Sequence, residues 1–145
     1  MTYDIISKRK YKKTIIIKKP DDIYNCLKRY AKSEQEYFIV MTLNGTHEVI
    51  SIHIASFGLV NQTIIHPREV FKHAIREKAC AVVISHSHPS GNTQPSGKDN
   101  EITTRMKKAA DILGIHILDH LIIGKNGYFS YRSERLILSD ISTTD

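Results

Sequence analysis

Residues 79–99 constrain this chain more than any other stretch, because an apolar run, Ala79-Cys80-Ala81-Val82-Val83-Ile84, leads directly into Ser85-His86-Ser87-His88. The run is too short and too β-branched for a helix, so it reads as a buried strand whose far end emerges at residues 85–88. Side chains alternate along a strand, which puts His86 and His88 on one face and Ser87 on the other. Two imidazoles on one side of a strand end can reach a single metal ion. The segment Pro89-Ser90-Gly91-Asn92-Thr93-Gln94-Pro95 is loop composition throughout and returns the chain to Ser96-Gly97-Lys98-Asp99 at the start of a helix.

Asp99 then supplies a third ligand. Two nitrogens and one carboxylate oxygen, with a fourth position for water, is the ligand count of a catalytic rather than a structural zinc site. Zinc so held lowers the pKa of its water to about 7. The bland reading of the same residues is a helix cap: Ser96-x-x-Asp99 is close to a capping box, and an acid in the first helical turn is favoured by the helix dipole. Capping accounts for Ser96 and Asp99 but leaves the two histidines unexplained. A residue that holds the helix start also fixes the position of a ligand, so the two roles are compatible.

His86-x-His88-Pro89, then Asp99 with Ser96 three residues before it, resembles the signature of the JAMM (MPN+/JAB) metalloproteases. The wording His-x-His-Pro-Ser-Gly, Pro-Ser-x-x-Asp and Leu118-Asp119-His120 is more narrowly similar to the RadC branch. Gln35-Glu36 before an apolar strand, Pro67-Arg68-Glu69-Val70 opening a helix, and Leu121-Ile122-Ile123-Gly124 extend the likeness over roughly residues 20–138. The resemblance implies a zinc cofactor on His86, His88 and Asp99, Glu36 as general base, Ser96 as a donor to the oxyanion, and a place near the metal for Asp119 and His120. It also implies a single JAB/MPN-like α+β domain with cytidine-deaminase-like layering. By residue type alone, Glu36 is not separable from Glu34, Glu69 or Glu101. RadC proteins usually carry a helix-hairpin-helix region as well, for which this chain has no room.

At 145 residues the chain is expected to hold one domain, residues 20–145, after a basic segment over residues 1–19. Cys26 and Cys80 form no Cys-x-x-Cys pair, which argues for a reducing compartment and against a zinc ribbon or a disulfide framework. No signal-like or membrane-spanning apolar run is present, so a cytoplasmic protein is the expectation. The net charge of +6 is concentrated: Lys8, Arg9, Lys10, Lys12, Lys13, Lys18 and Lys19 stand against Asp4 alone in residues 1–20, and the remainder is balanced. Such a tail suits nucleic acid or another polyanion, or is simply a solvated segment.

Taken in order, residues 12–18 read as a charge-protected edge strand around Ile15-Ile16-Ile17. Pro20-Asp21-Asp22 opens a helix to about Lys32, with Ile23, Cys26, Leu27 and Tyr30 at helical spacing. Residues 36–43 and 47–56 form a hairpin about Asn44-Gly45, and residues 58–65 add a short irregular strand. His66-Pro67 starts a helix whose inward stripe is Val70, Phe71, Ala74 and Ile75. The longest helix spans residues 97–113, with Ile102, Met106, Ala109, Ala110 and Leu113 on one face and Gly114 as its stop. Residues 115–123 and 128–131 pair as strands across Asn126-Gly127. The sum is a mixed α/β domain with helices on a largely antiparallel sheet.

His47, His53, His66 and His73 show no ligand spacing and read as structural or exposed; His116 is a closer case. Zinc deaminases use His-x-Glu and Pro-Cys-x-x-Cys, both absent here. An eight-fold barrel needs a longer chain, and a two-metal phosphoesterase needs more ligands than the motif offers. Two functions from different classes remain: a zinc hydrolase of an amide or isopeptide bond, and a DNA-associated accessory module or nuclease in which the basic tail binds.

Overall fold

The computed structural model describes residues 14–58 and 65–135, together with the backbone of Tyr3–Ile6. The elements run β1 (Tyr3–Ile6), α1 (Pro20–Leu27) continued by a 3-10 turn (Lys28–Lys32), β2 (Glu36–Leu43), β3 (Val49–Gly58), α2 (Pro67–Glu77), β4 (Ala81–Ser87), α3 (Gly97–Leu113), β5 (His116–Gly124) and β6 (Gly127–Ser130). They form an α+β domain around one six-stranded sheet of order β1-β3-β2-β4-β5-β6. Every pairing is antiparallel except β4 with β5, which α3 joins as a crossover.

Both faces of the sheet are covered, which accounts for the unbroken burial of β4. Val82 and Ile84 pack under α2 and α3 with Phe71, Ala74, Met106 and Ala110. Ala81 and Val83 face the opposite side, against Ile23 and Leu27 of α1 and Tyr30 of the following turn. The chain is thus three layers deep, and the face under α2 and α3 is the one that carries His86.

Local chemistry sets the element ends. Asn44 Oδ1 accepts from the backbone N–H groups of Thr46 and Glu48, closing the β2–β3 turn. Pro67 sits in the first turn of α2, and Lys78 ends that helix in the left-handed region at φ 58°. Gly114 does the same for α3 at φ 74°.

Several sequence expectations shift. The edge strand expected over residues 12–18 reduces, among its described residues, to one bridge between Ile16 and Glu48, with flanking backbone bonds from Ile15 and Ile17; the edge itself is β1 on β3. In the expected strand over residues 58–65, Gly58 ends β3 and residues 59–64 lie outside the described residues. Ile75 is exposed rather than inward, because α2 turns Val70, Phe71, His73 and Ala74 to the sheet. Leu113 is likewise exposed at the end of α3, where Thr103 joins Met106 and Ala110 as a buried position. None of the described helices is long and apolar enough to cross a membrane.

Met106 is fully buried between α3 and the sheet. Met106→Ala is expected to cost about 2–5 kcal/mol through lost burial and the cavity left behind, read as a lower urea midpoint with an unchanged m-value.

Candidate metal centre

Residues from β4, the loop after it and the start of α3 meet at the carboxyl end of β4, the usual end for a ligand site beside a parallel crossover. His86 is the last residue but one of β4 and faces the α3 side; His88 follows one step beyond the strand end, its N–H donating to the Ile123 carbonyl at 2.9 Å. The two imidazole rings stand 4.9 Å apart and nearly perpendicular. Asp99 lies between them, with Oδ1 2.9 Å from His86 Nδ1 and Oδ2 3.3 Å from His88 Nε2.

Asp99 is the third residue of α3, and the helix cap explains its position. Its N–H donates to Ser96 Oγ at 3.1 Å, while its Oδ2 accepts from Ser96 N at 2.8 Å and Ser96 Oγ at 3.0 Å. The cap thus places the Asp99 carboxylate where a ligand to an ion beside His86 and His88 would stand. Burial pushes the Asp99 carboxyl up, but hydrogen bonds from His86, His88 and the Ser96 backbone outweigh it and hold the group well below the usual carboxylate range. The hydrogen bond to Asp99 raises His88 against its own desolvation.

His88 Nδ1 sits 2.8 Å from the Asn92 carbonyl and donates to it, which leaves Nε2, 3.3 Å from Asp99 Oδ2, as the nitrogen that would give up its proton to a cation. That loop lies close on β5: a Cβ at Gly124 would come within 2.9 Å of Thr93 Cγ2 and 3.1 Å of the Gly91 carbonyl oxygen. His86 Nε2 is buried with no hydrogen-bond partner among the described residues, and Glu36 Oε2 is 3.9 Å from it. An orphaned imidazole nitrogen beside a second imidazole and a carboxylate, with three donor atoms within 4.8 Å of one another, fits a divalent cation of zinc type.

Glu36 opens β2, which pairs with β4 so that Phe38 lies opposite His86. The N–H of Tyr37 donates to Ser87 Oγ at 2.8 Å, so the serine between the two histidines pins the strand that carries Glu36. The sequence offered no reason to single out Ser87, because the bond crosses fifty positions. A cavity of about 500 Å³ opens over the cluster, bordered by Glu34, Glu36, Phe38, Ile65, Lys98 and Ile102. Glu69 and Glu101, inseparable from Glu36 by residue type, do not line it.

The pair Asp119-His120 divides across the sheet. His120 lies on the α3 side beneath the cluster, stacked on Tyr131 with ring centroids 4.6 Å apart and its Nδ1 against Thr103 Oγ1, which donates to the Asp99 carbonyl. Asp119 faces the α1 side, where its carboxylate accepts from Ser130 Oγ at 2.6 Å and the Arg132 N–H at 3.0 Å. It does not reach His86, His88 or Asp99. Lys8, Arg9, Lys10, Lys12 and Lys13 lie outside the described residues. His53 and His73, which showed no ligand spacing to sequence reasoning, come together with Glu77 in a second cluster. The available signal was His73-x-x-x-Glu77 on one face of α2; His53 joins only through the fold.

A family model described as RadC-like JAB domain matches residues 17–136. A "UPF0758 protein" of Alkaliphilus metalliredigens is 47% identical over 124 residues, covering 83% of this chain and 53% of the relative. Those of Alkaliphilus oremlandii (43% over 122 residues, 83% and 53%) and Rubrobacter xylanophilus (43% over 123 residues, 84% and 54%) are similarly related. The chain spans about half the length of the curated relatives it matches.

Burial pushes the His120 imidazole down to about 3, with the nearby His86 acting in the same direction. Between that value and the ordinary 6.5 or so, the unfolded chain binds a proton that the folded chain does not, so stability rises with pH. His120 therefore accounts for a loss of about 1.4 kcal/mol per unit as pH falls through the window. A His120→Asn variant is expected to show a pH slope shallower by about that amount in urea melts of metal-free protein at pH 4, 5 and 6. An unchanged slope would place the proton elsewhere.

Proposed function

This chain belongs to the RadC-like JAB domain family, and from that premise we propose that it is a zinc-dependent hydrolase of JAMM type cleaving an amide or isopeptide bond. The observation that carries the reading is the convergence of His86, His88 and the buried Asp99 on one point at the edge of a cavity, with Glu36 against His86. A structural site closes all four positions with protein donors, whereas a set of three bordering a cavity suits a substrate-accessible ion.

His86, His88 and Asp99 would hold the zinc, which supplies Lewis-acid polarisation of a carbonyl and a water acidic enough to be deprotonated near neutral pH. Glu36 takes the proton from the attacking water and returns it to the leaving amine, a role suited to a carboxylate that is only partly buried and faces the cluster. Ser96 keeps Asp99 aligned through its cap and lines the same cavity; by exchanging its Oδ2 bond, its hydroxyl donates to the oxyanion as that charge develops. Phe38, Ile65 and Ile102 give the cavity apolar walls that limit water around the scissile bond. Cys26 and Cys80 are not joined in a disulfide, which suits a reducing, cytoplasmic setting.

The concentration of positive charge in residues 1–20 supports a second reading, a polyanion-binding segment beside the hydrolase or in its place.

Glu36→Gln is expected to keep bound zinc and lower kcat by about 10²–10⁴ on a fluorogenic peptide-amide library, while His88→Ala loses both metal and turnover. Wild-type-like turnover in Glu36→Gln would remove Glu36 from the scheme, and undiminished metal in His88→Ala would remove the ligand set. For the second reading, a salt-sensitive gel shift of double-stranded DNA should disappear on deletion of residues 1–19; a shift that survives the deletion locates binding elsewhere.

A further inference from the structure

We propose that His53, His73 and Glu77 form a second divalent-metal site, enclosed between α2 and β3, which takes zinc or a similar borderline cation with water in the fourth position and ties the two elements together. The site shares no donor with the cluster at the end of β4, and nothing in the family resemblance called for it.

Three observations carry it. First, one atom from each side chain lies within 4.8 Å of the others, and the set of two imidazole nitrogens and one carboxylate oxygen suits a borderline cation. Second, the donors are preorganised. His73 and Glu77 are four residues apart on one face of α2, a spacing that lets helix-borne ligands share an ion. His53 meets them from β3, its Nε2 3.2 Å from Glu77 Oε2. Third, the carboxylate has an outer layer of hydroxyls. Thr42 Oγ1 donates to Glu77 Oε1 at 2.7 Å, and Ser51 Oγ lies 2.9 and 2.8 Å from the two carboxylate oxygens. Such groups fix the direction of a ligating carboxylate.

Burial raises the stakes. His53 and His73 are 2% and 7% exposed, on the sheet face packed by Val40, Phe71 and Ala74, where ionisable groups are costly unless compensated. The Glu77 side chain, 19% exposed, leaves a path by which an ion can enter. The imidazole rings are stacked 3.6 Å apart and within 4° of parallel, so their lone pairs do not meet at one point. Loading the site therefore turns one ring about its terminal torsion, which is soft for histidine, and breaks the stack.

The test counts ions. Full-length protein is stripped with chelator and titrated with Co²⁺ by equilibrium dialysis, with visible absorption as a second readout. The expectation is two equivalents in wild type, one in Asp99→Ala, one in Glu77→Gln and none in the double variant. Asp99→Ala should also gain a Co²⁺-dependent rise in melting temperature, and the ring proton resonances of His53 and His73 should shift on loading. One equivalent in wild type that Asp99→Ala abolishes overturns the second site and leaves the hydrolase reading standing; one equivalent that only Glu77→Gln abolishes does the reverse. Should Glu77→Gln fail to fold, the Asp99→Ala count decides without touching the second cluster. His73→Gln, which keeps a polar group at that position, then serves as the matched variant: binding in Asp99→Ala that survives it overturns the proposal.

Discussion

The carboxylate of Asp99 is the point on which the local structure converges. It is 1% exposed, and a carboxylate at that depth is costly unless its lone pairs are met. They are met by the backbone and hydroxyl of Ser96 and by both imidazoles, so a helix start, a strand end and the intervening loop are bound to one group. The arrangement runs both ways. Met106 and Ala110 seat α3 against the sheet and so position Asp99, while Asp99 holds the rings of His86 and His88 that strand alternation has put on one side. A cation bound here would meet a carboxylate that is already desolvated and aimed.

Strand alternation divides the labour along β4. His86 and His88 face the cavity side, while Ser85 and Ser87 face the other and do the lashing: Ser85 Oγ donates to the Leu121 carbonyl, and Ser87 Oγ accepts from Tyr37 N–H. Both neighbouring strands are thereby fixed at the level of the histidines. A slip of one residue in β4 would exchange the two sets and destroy the site and the lashing together. Gly124 adds a further constraint, since its missing Cβ lets the Gly91–Thr93 turn settle on β5, and that turn includes Asn92, whose carbonyl orients His88.

What the sequence revealed was what local chemistry decides. The apolar run ending in His-x-His, the Ser96-x-x-Asp99 cap, the Asn44-Gly45 turn and the Gly114 stop each follow from residues close together in the chain, and each appears in the structure near its expected place. The approach of Glu36 to His86 was reached only through family likeness, because it depends on the pairing of Phe38 with His86 across the sheet. Ser87 and His53 were missed for the same reason. Ile75 shows the limit of a helical stripe: α2 has enough apolar and aromatic positions to define two adjoining faces, and packing of Phe71 and Ala74 chose the one that exposes Ile75 and buries His73. The split of Asp119 from His120 was, by contrast, implicit in strand alternation, even with the bulge between Val82 and Val83 that shifts the register of β5.

Two clusters of the same composition, each two histidines and a carboxylate, lie on one face of this sheet, and their borders distinguish them. The Asp99 cluster sits at the rim of a 500 Å³ cavity with Glu36 and Ser96 beside it. The Glu77 cluster is capped by the hydroxyls of Thr42 and Ser51 and packed among side chains of α2, β2 and β3, and it lines no part of that cavity. Identical donors therefore face different problems. In the first, the open border and the nearby Glu36 carboxylate are what the proposed hydrolysis would need. In the second, any ion would be enclosed between a helix and a strand, and its binding energy would go into holding α2 on the sheet. Phe38 packs in the same core as Phe71 and also lies against His86, so α2 and the floor of the first site share one packed core.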